Sequence, residues 1–135
     1  MEKVALHPAE WNTEAEALLA GATGDNATYT VADLRASVQG GQSTLYLVSV
    51  GREKLGYVVL FTEDFGGTKE LVIQVGEAFA HHEKSARLAI PAILEIGRGL
   101  GCATARSHLV SGRFARSFKR AGFQKIETVY QMRIA

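Results

Sequence analysis

Apolar positions follow two different periods along the chain. In the segment "HPAEWNTEAEALLAG", Trp11, Ala15, Leu18 and Leu19 recur at helical spacing. This predicts a first helix over 7–21, with Pro8 in its first turn and Gly21 as its stop. The run "ATGDNA" reads as a loop. In "TVADLRASVQGG", Val31, Leu34 and Val38 share one helical face. Thr30 is placed to cap that second helix, with Asp33 three residues on, and Gly40 and Gly41 end it.

The period then changes. "STLYLVSV", "GREK" and "LGYVVLFTEDF" predict a strand, a short turn and a second strand. Their Val, Leu, Tyr and Phe content suits pleated structure. Gly66 and Gly67 make the next turn, and "TKELVIQVGEAFA" gives a third meander strand. Gly76 inside it predicts a bulge or a close backbone approach.

From Ser85 to Leu100 the pattern is helical again. Ala86, Ala89, Ile90, Ile93, Leu94, Gly97 and Leu100 fall on one side, and Arg87, Glu95 and Arg98 on the other. Pro91 costs a helix interior about 3 kcal/mol, so a start near Leu88 or a kink is expected. "CATARSHLV" alternates like a strand. "SGRFARSFKRAGF" predicts a short helix with Phe114, Ala115, Phe118 and Ala121 inward, Arg113, Arg116 and Arg120 outward, and Gly122 as its cap. "KIETVYQMRI" alternates as a last strand. The predicted order is helix, helix, three antiparallel strands, helix, strand, helix, strand. No internal repeat appears.

Composition narrows the class. The chain has 135 residues, 47% apolar and 21% charged, which fits one domain spanning 1–135 with a real core. No apolar stretch reaches the ~18–20 residues of a membrane span. The opening "MEKVALHPAEW" lacks the order of a secretory signal, so a cytoplasmic setting is expected. The single cysteine, Cys102, excludes an internal disulfide; its apolar neighbours predict a buried, inert thiol.

The net charge of +1 hides an asymmetry. Residues 1–83 hold five Lys and Arg against twelve Asp and Glu, a net of −7. Residues 84–135 hold ten against two, a net of +8. Such a split serves an anionic ligand, a nucleic acid, an acidic partner, a second copy of the chain, or simple attraction between the two halves. The basic face of Arg113, Arg116 and Arg120 carries no nucleic-acid motif beside it and reads as a solvated face. His81 and His82 are adjacent, but His7 and His108 are far off in sequence, so no metal site is expected.

The element order, with the closing run "SHLVSGRFARSFKRAGFQKIETVYQMRI", resembles the GNAT superfamily of acyl-CoA-dependent N-acetyltransferases over nearly the whole chain. Gly122 and Phe123 match that family's closing Gly-Phe. The resemblance implies an α/β (α+β) fold: a central, mostly antiparallel mixed sheet flanked by four helices, with a splayed strand pair. It implies acetyl-CoA as co-substrate, lying in a wedge between strands at 69–77 and 103–109. The pyrophosphate would rest on the start of the next helix, at 82–87, where free N–H groups and the helix dipole favour an anion.

By the same resemblance Val75, His82, Glu83, Lys84, Ser85, Arg87 and Ser111 would bind the cofactor. Glu77 would act as general base toward a small-molecule or protein amine. Tyr130 would line the acceptor side or pack. Two departures stand out. The family's cradle reads R/Q-x-x-G-x-G/A, whereas His82, Ser85 and Arg87 occupy its three defined positions. Phe118 replaces a tyrosine that in many members protonates the leaving thiolate. Side-chain charge from Lys84 and Arg87 is one substitute for the glycines. The alternative expectation is a catalytically degenerate scaffold or interaction protein, of the kind a phage virion or host-interaction component would be, with a homo-oligomer or protein partner.

Overall fold

The structure, a computed structural model, describes residues 3–23, 30–75, 82–107, 115–127, 130, 132 and 134. The order is β1 (Val4–Ala9), α1 (Thr13–Thr23), α2 (Val31–Gln39), β2 (Thr44–Val50), β3 (Glu53–Phe65), β4 (Thr68–Val75), α3 (His82–Gly99), β5 (Thr104–Ser107) and α4 (Ala115–Arg120). Among the described residues one five-stranded sheet runs β1-β2-β3-β4-β5. The first three pairings are antiparallel and β4 with β5 is parallel. A mostly antiparallel mixed sheet with four helices is therefore the architecture, as expected.

Two elements differ from expectation. The residues 4–9, predicted in part to start the first helix, form edge strand β1 against β2, from Val4 opposite Val50 to Ala9 opposite Leu45. Pro8 is tolerated there because an edge strand has a side that needs no N–H. Helix α1 starts only at Thr13, where the Asn12 side chain accepts the Ala15 N–H at 2.9 Å. At the other end, "KIETVYQMRI" is not a strand in its described residues; Ile126, Tyr130, Met132 and Ile134 stand exposed. Alternation fits a strand only when a neighbour supplies the ladder, and none does so among the described residues; residues 128, 129, 131 and 133 lie outside them.

The helix predicted from 31 onward has its full capping box: Thr30 Oγ1 accepts the Asp33 N–H, and the Thr30 N–H donates to the Asp33 carboxylate at 2.8 Å. The tight β3–β4 turn uses Gly66 and Gly67 at φ of 59° and 92°, a region costly for other residues. The β3–β4 register slips where Val59 faces Val75 and Leu60 faces Ile73, leaving Gln74 as the extra residue. Gly76, the predicted bulge, lies outside the described residues.

The sheet buries both faces. Helices α1 and α2 cover one, packing Ala15, Leu19 and Leu34 onto Leu45, Tyr57 and Val59. Helices α3 and α4 cover the other, with Ala86, Ala89, Ile90, Ile93 and Phe118 against Val58, Leu60, Leu71 and Ile73. The late start near Leu88 is corrected: α3 begins at His82 and continues through Pro91. The proline ring is on the exposed side; the Arg87 carbonyl four residues back loses its helical donor. Leu100 and Ala121, predicted inward, are exposed, since each falls in the turn that ends its helix. Cys102 is half-buried against the α3 core rather than fully enclosed.

Candidate functional site

The parallel pair β4 and β5 and the helix between them form a strand–helix–strand crossover. Its origin is in the sequence: a fully apolar stripe on 86–97 needs a sheet face, and β4 and β5 supply Leu71, Ile73 and Ala105 on that face. The crossover puts the N-terminal end of α3 after the C-terminal end of β4. In open sheets, ligands bind at the carboxyl ends of parallel strands, where helix N-termini bring unpaired N–H groups.

Pairing of the two strands runs from Glu70 opposite Thr104 to Ile73 opposite Ser107. Strand β4 continues to Val75, which faces Val59 of β3. The segments 76–81 and 108–114 lie outside the described residues, and with them Glu77, Ser111 and the expected parting of the strands. At the last paired position of β5, the Ser107 Oγ is buried with no hydrogen-bond partner among the described residues. Alternation puts Ser107 on the same face as Ala105, the face that α3 covers.

Of the residues expected at the cradle, His82, Glu83, Lys84, Ser85 and Arg87 all belong to the first two turns of α3. The Ser85 side chain is fully buried toward the sheet, and Arg87 is exposed on the outer side. Their divergence is geometric: two residues apart on a helix means about 200° around its axis. Ser85 thus fills a small core position, while Arg87 is left on the solvent side. Val75 is the last residue of β4.

The opposite face of the same strands carries a polar cluster that sequence reasoning missed. Arg106 on β5 meets Glu63 on β3 at 3.0 Å and Glu70 on β4 at 3.1 Å. Thr104 Oγ1 donates to the second Glu70 oxygen at 2.9 Å. Every charge in this cluster is half-buried. The only signal in the sequence was alternation: Glu63, Glu70 and Arg106 sit on strands whose register is invisible until the chain is folded.

Phe118, in the place of the family's acid, is buried and stacks edge-on to Phe123 with ring centroids 5.0 Å apart. It is a core residue. Tyr130 neither packs nor lines a cavity; it is exposed. Arg116 and Arg120 are exposed on the outer side of α4, as predicted. Among the described residues no group of three metal-ligating side chains converges, and no helix is long and apolar enough to cross a membrane.

No protein-family model matches the chain, and no curated protein matches it. Solved structures do. A protein described as a probable acetyltransferase superposes with a TM-score of 0.69 at 15% identity, covering 98% of each chain. An acetyltransferase from Trypanosoma brucei gives 0.63 at 15% identity, covering 98% of this chain and all of the other. A transcriptional regulator from Bacillus halodurans gives 0.67 at 15% identity, over 97% and 99%. At this identity the likeness is one of fold, and the fold is GNAT-like over the length of the chain.

Proposed function

We propose that this protein is a GNAT-type N-acyltransferase that moves an acetyl group from acetyl-CoA to an amine. One observation carries the reading. The carboxyl end of the β4–β5 pair holds a buried hydroxyl, Ser107 Oγ, without a partner among the described residues, and lies on the sheet face covered by an 18-residue helix that starts after β4. A polar atom kept buried and unpaired costs stability unless something else meets it. An amide-bearing chain such as pantetheine suits that place.

The residues fit such a co-substrate. Ser85, buried, takes no room outside the helix end, and Arg87, exposed, adds positive charge near it without filling it. Acetyl-CoA supplies the activated thioester. The chain's own tasks are to hold the pyrophosphate over 82–87, to orient the thioester along Val75 and Ser107, and to accept the amine's proton. Glu77, two residues beyond Val75, is assigned that proton, directly or through water. Phe118 has no proton to give, so the thiolate leaves unaided by that position. Ser111 is assigned a contact to the cofactor amide.

A second reading draws on a specific pair of facts: Phe118 is a core residue, and no glycine stands between His82 and Arg87. A degenerate scaffold, including a phage virion or host-interaction component, would have the same two features. Thermal unfolding with 1 mM acetyl-CoA separates them. The enzyme reading expects a higher melting temperature, by mass action, and CoA release with a panel of amines. No shift and no release leaves the scaffold.

A further inference from the structure

Helix α2 ends in a turn wound around one residue. The Ser37 carbonyl accepts the N–H groups of Gln42 and Ser43 at 3.0 and 3.2 Å. Two glycines allow this close return: a Cβ on Gly40 would stand 3.0 Å from the Ala36 carbonyl oxygen, and Gly41 has a φ of 83°. The turn brings two hydroxyls together, Ser37 Oγ and Ser43 Oγ, at 2.7 Å. Ser43 donates its single hydroxyl proton to Gln74 Oε1 at 3.1 Å, so Ser37 is the donor to Ser43. The hydrogen bonds therefore run one way, from α2 through Ser43 to β4. Ser43 is 6% exposed, and a buried bond is costly to break from one side.

Gln74 is the extra residue of the β3–β4 ladder. Pairing is regular from Phe65 opposite Thr68 to Leu60 opposite Ile73. Carried two residues further, that register would set Val75 opposite Val58; instead Val75 is opposite Val59. The difference is a change of face. Val58 packs with α3 and α4, and Val59 with α1 and α2; directly opposed residues of an antiparallel pair share a face. One added residue thus turns the end of β4 from the first face to the second. A bulge leaves its extra residue outside the regular ladder. Here the side chain of that residue is held from α2.

We propose that Ser43, acting through Gln74, is a positioning residue for acyl transfer. The Ser37–Ser43–Gln74 chain keeps the extra residue in place. It so fixes the register position of Val75 and the phase in which the polypeptide leaves β4 toward Glu77, the assigned base. The catalytic consequence rests on the acyltransferase reading; the hold on the register does not.

Two measurements on the full chain test the two parts separately. The first is the register, read by nuclear Overhauser contacts in the isotope-labelled protein. Ser43→Ala and Gln74→Met are each expected to weaken or lose the Val59–Val75 backbone contact while the Val4–Val50 contact of β1 and β2 stays. Ser43→Thr keeps the hydroxyl and is expected to retain both contacts. An unchanged Val59–Val75 contact in Ser43→Ala and Gln74→Met overturns the proposal, whatever the rates. The second is steady-state kinetics with acetyl-CoA and a panel of primary amines. Ser43→Ala and Gln74→Met are expected to lose about ten- to a hundredfold in kcat with the KM for acetyl-CoA unchanged, and Ser43→Thr to match the unaltered chain. Unchanged kcat, or a loss confined to KM, overturns the positioning role. No turnover by the unaltered chain with any amine overturns the acyltransferase reading and the positioning role with it, whereas the register result stands by itself.

Discussion

Arg106 reaches past its neighbouring strand: its guanidinium, based on β5, meets Glu63 of β3 at 3.0 Å while also holding Glu70 of the intervening β4 at 3.1 Å. Glu63 and Glu70 are direct cross-strand partners, so without the arginine two carboxylates face each other. Arg106→Met is expected to destabilise by about 1–3 kcal/mol, because half-buried charges lose their counter-ion. Replacing all three charges, as Glu63→Gln/Glu70→Gln/Arg106→Met, is expected to recover part of that loss. Urea unfolding of the two variants is the measurement, and equal stability in the two would deny the repulsion.

Tyr57 and Glu14 give the fold a pH dependence at both ends. The buried Tyr57 hydroxyl donates to Glu14 at 2.7 Å, and Lys54 donates to the same oxygen at 3.3 Å. These hydrogen bonds, Tyr57 first, hold the Glu14 carboxyl below its ordinary range. Burial first, and Glu14 second, push the Tyr57 phenol above its ordinary range. A lowered carboxyl stabilises the fold above its unfolded pKa, and the effect is lost as pH falls through the lowered value. A raised phenol stabilises it below the ordinary tyrosine value, and the effect is lost as pH rises through the raised one. Tyr57→Phe is therefore expected to lower the melting temperature by roughly 2–5 °C near neutrality. The deficit should shrink in acid and again in strong alkali, as melting curves across pH would reveal.

At Gly97, α3 packs against Leu71 of β4. A Cβ there would sit 3.1 Å from Leu71 Cδ2 and 3.8 Å from Cys102 Cβ. Gly97→Ala gains helix propensity of up to about 1 kcal/mol and spends part of it moving one flexible methyl. Gly97→Val has no such room and is expected to lose about 1–3 kcal/mol by overpacking. Opposite signs for the two substitutions in chemical denaturation are the expected result.

Ser107 allows binding to be separated from folding. If its hydroxyl, unpaired among the described residues, meets the co-substrate rather than another part of the chain, Ser107→Ala leaves stability unchanged or raises it slightly, since a buried orphan group is removed. Acetyl-CoA affinity should fall by roughly three- to tenfold. Calorimetric titration beside thermal unfolding reads both. Unchanged affinity would remove Ser107 from the site.

The second helix, the meander and α4 were legible in the sequence because each is set locally, by Thr30 and Asp33, by Gly66 and Gly67, and by the stripe around Phe118. What failed depends on distant neighbours. Val4–Ala9 is a strand because β2 lies beside it, and nothing in its own six residues says so. Pro91 suggests a late helix start because a peptide would begin there; in the protein, burial of Ala86, Ala89, Ile90 and Ile93 outweighs one missing hydrogen bond. Of the proposed site, residues 82–87 follow from period and resemblance, whereas Ser107 and the Arg106 cluster needed the β4–β5 register.

Spatial order in the sheet repeats order along the chain, β1 to β5 without a permutation. Each new strand can therefore dock on the one before it as the polypeptide emerges from the ribosome. Among the described strands only β5 must wait, because it cannot register on β4 until α3 has been made and laid down. Among the described strands, the parallel junction, where the proposed chemistry is assembled, is thus the latest to exist during synthesis.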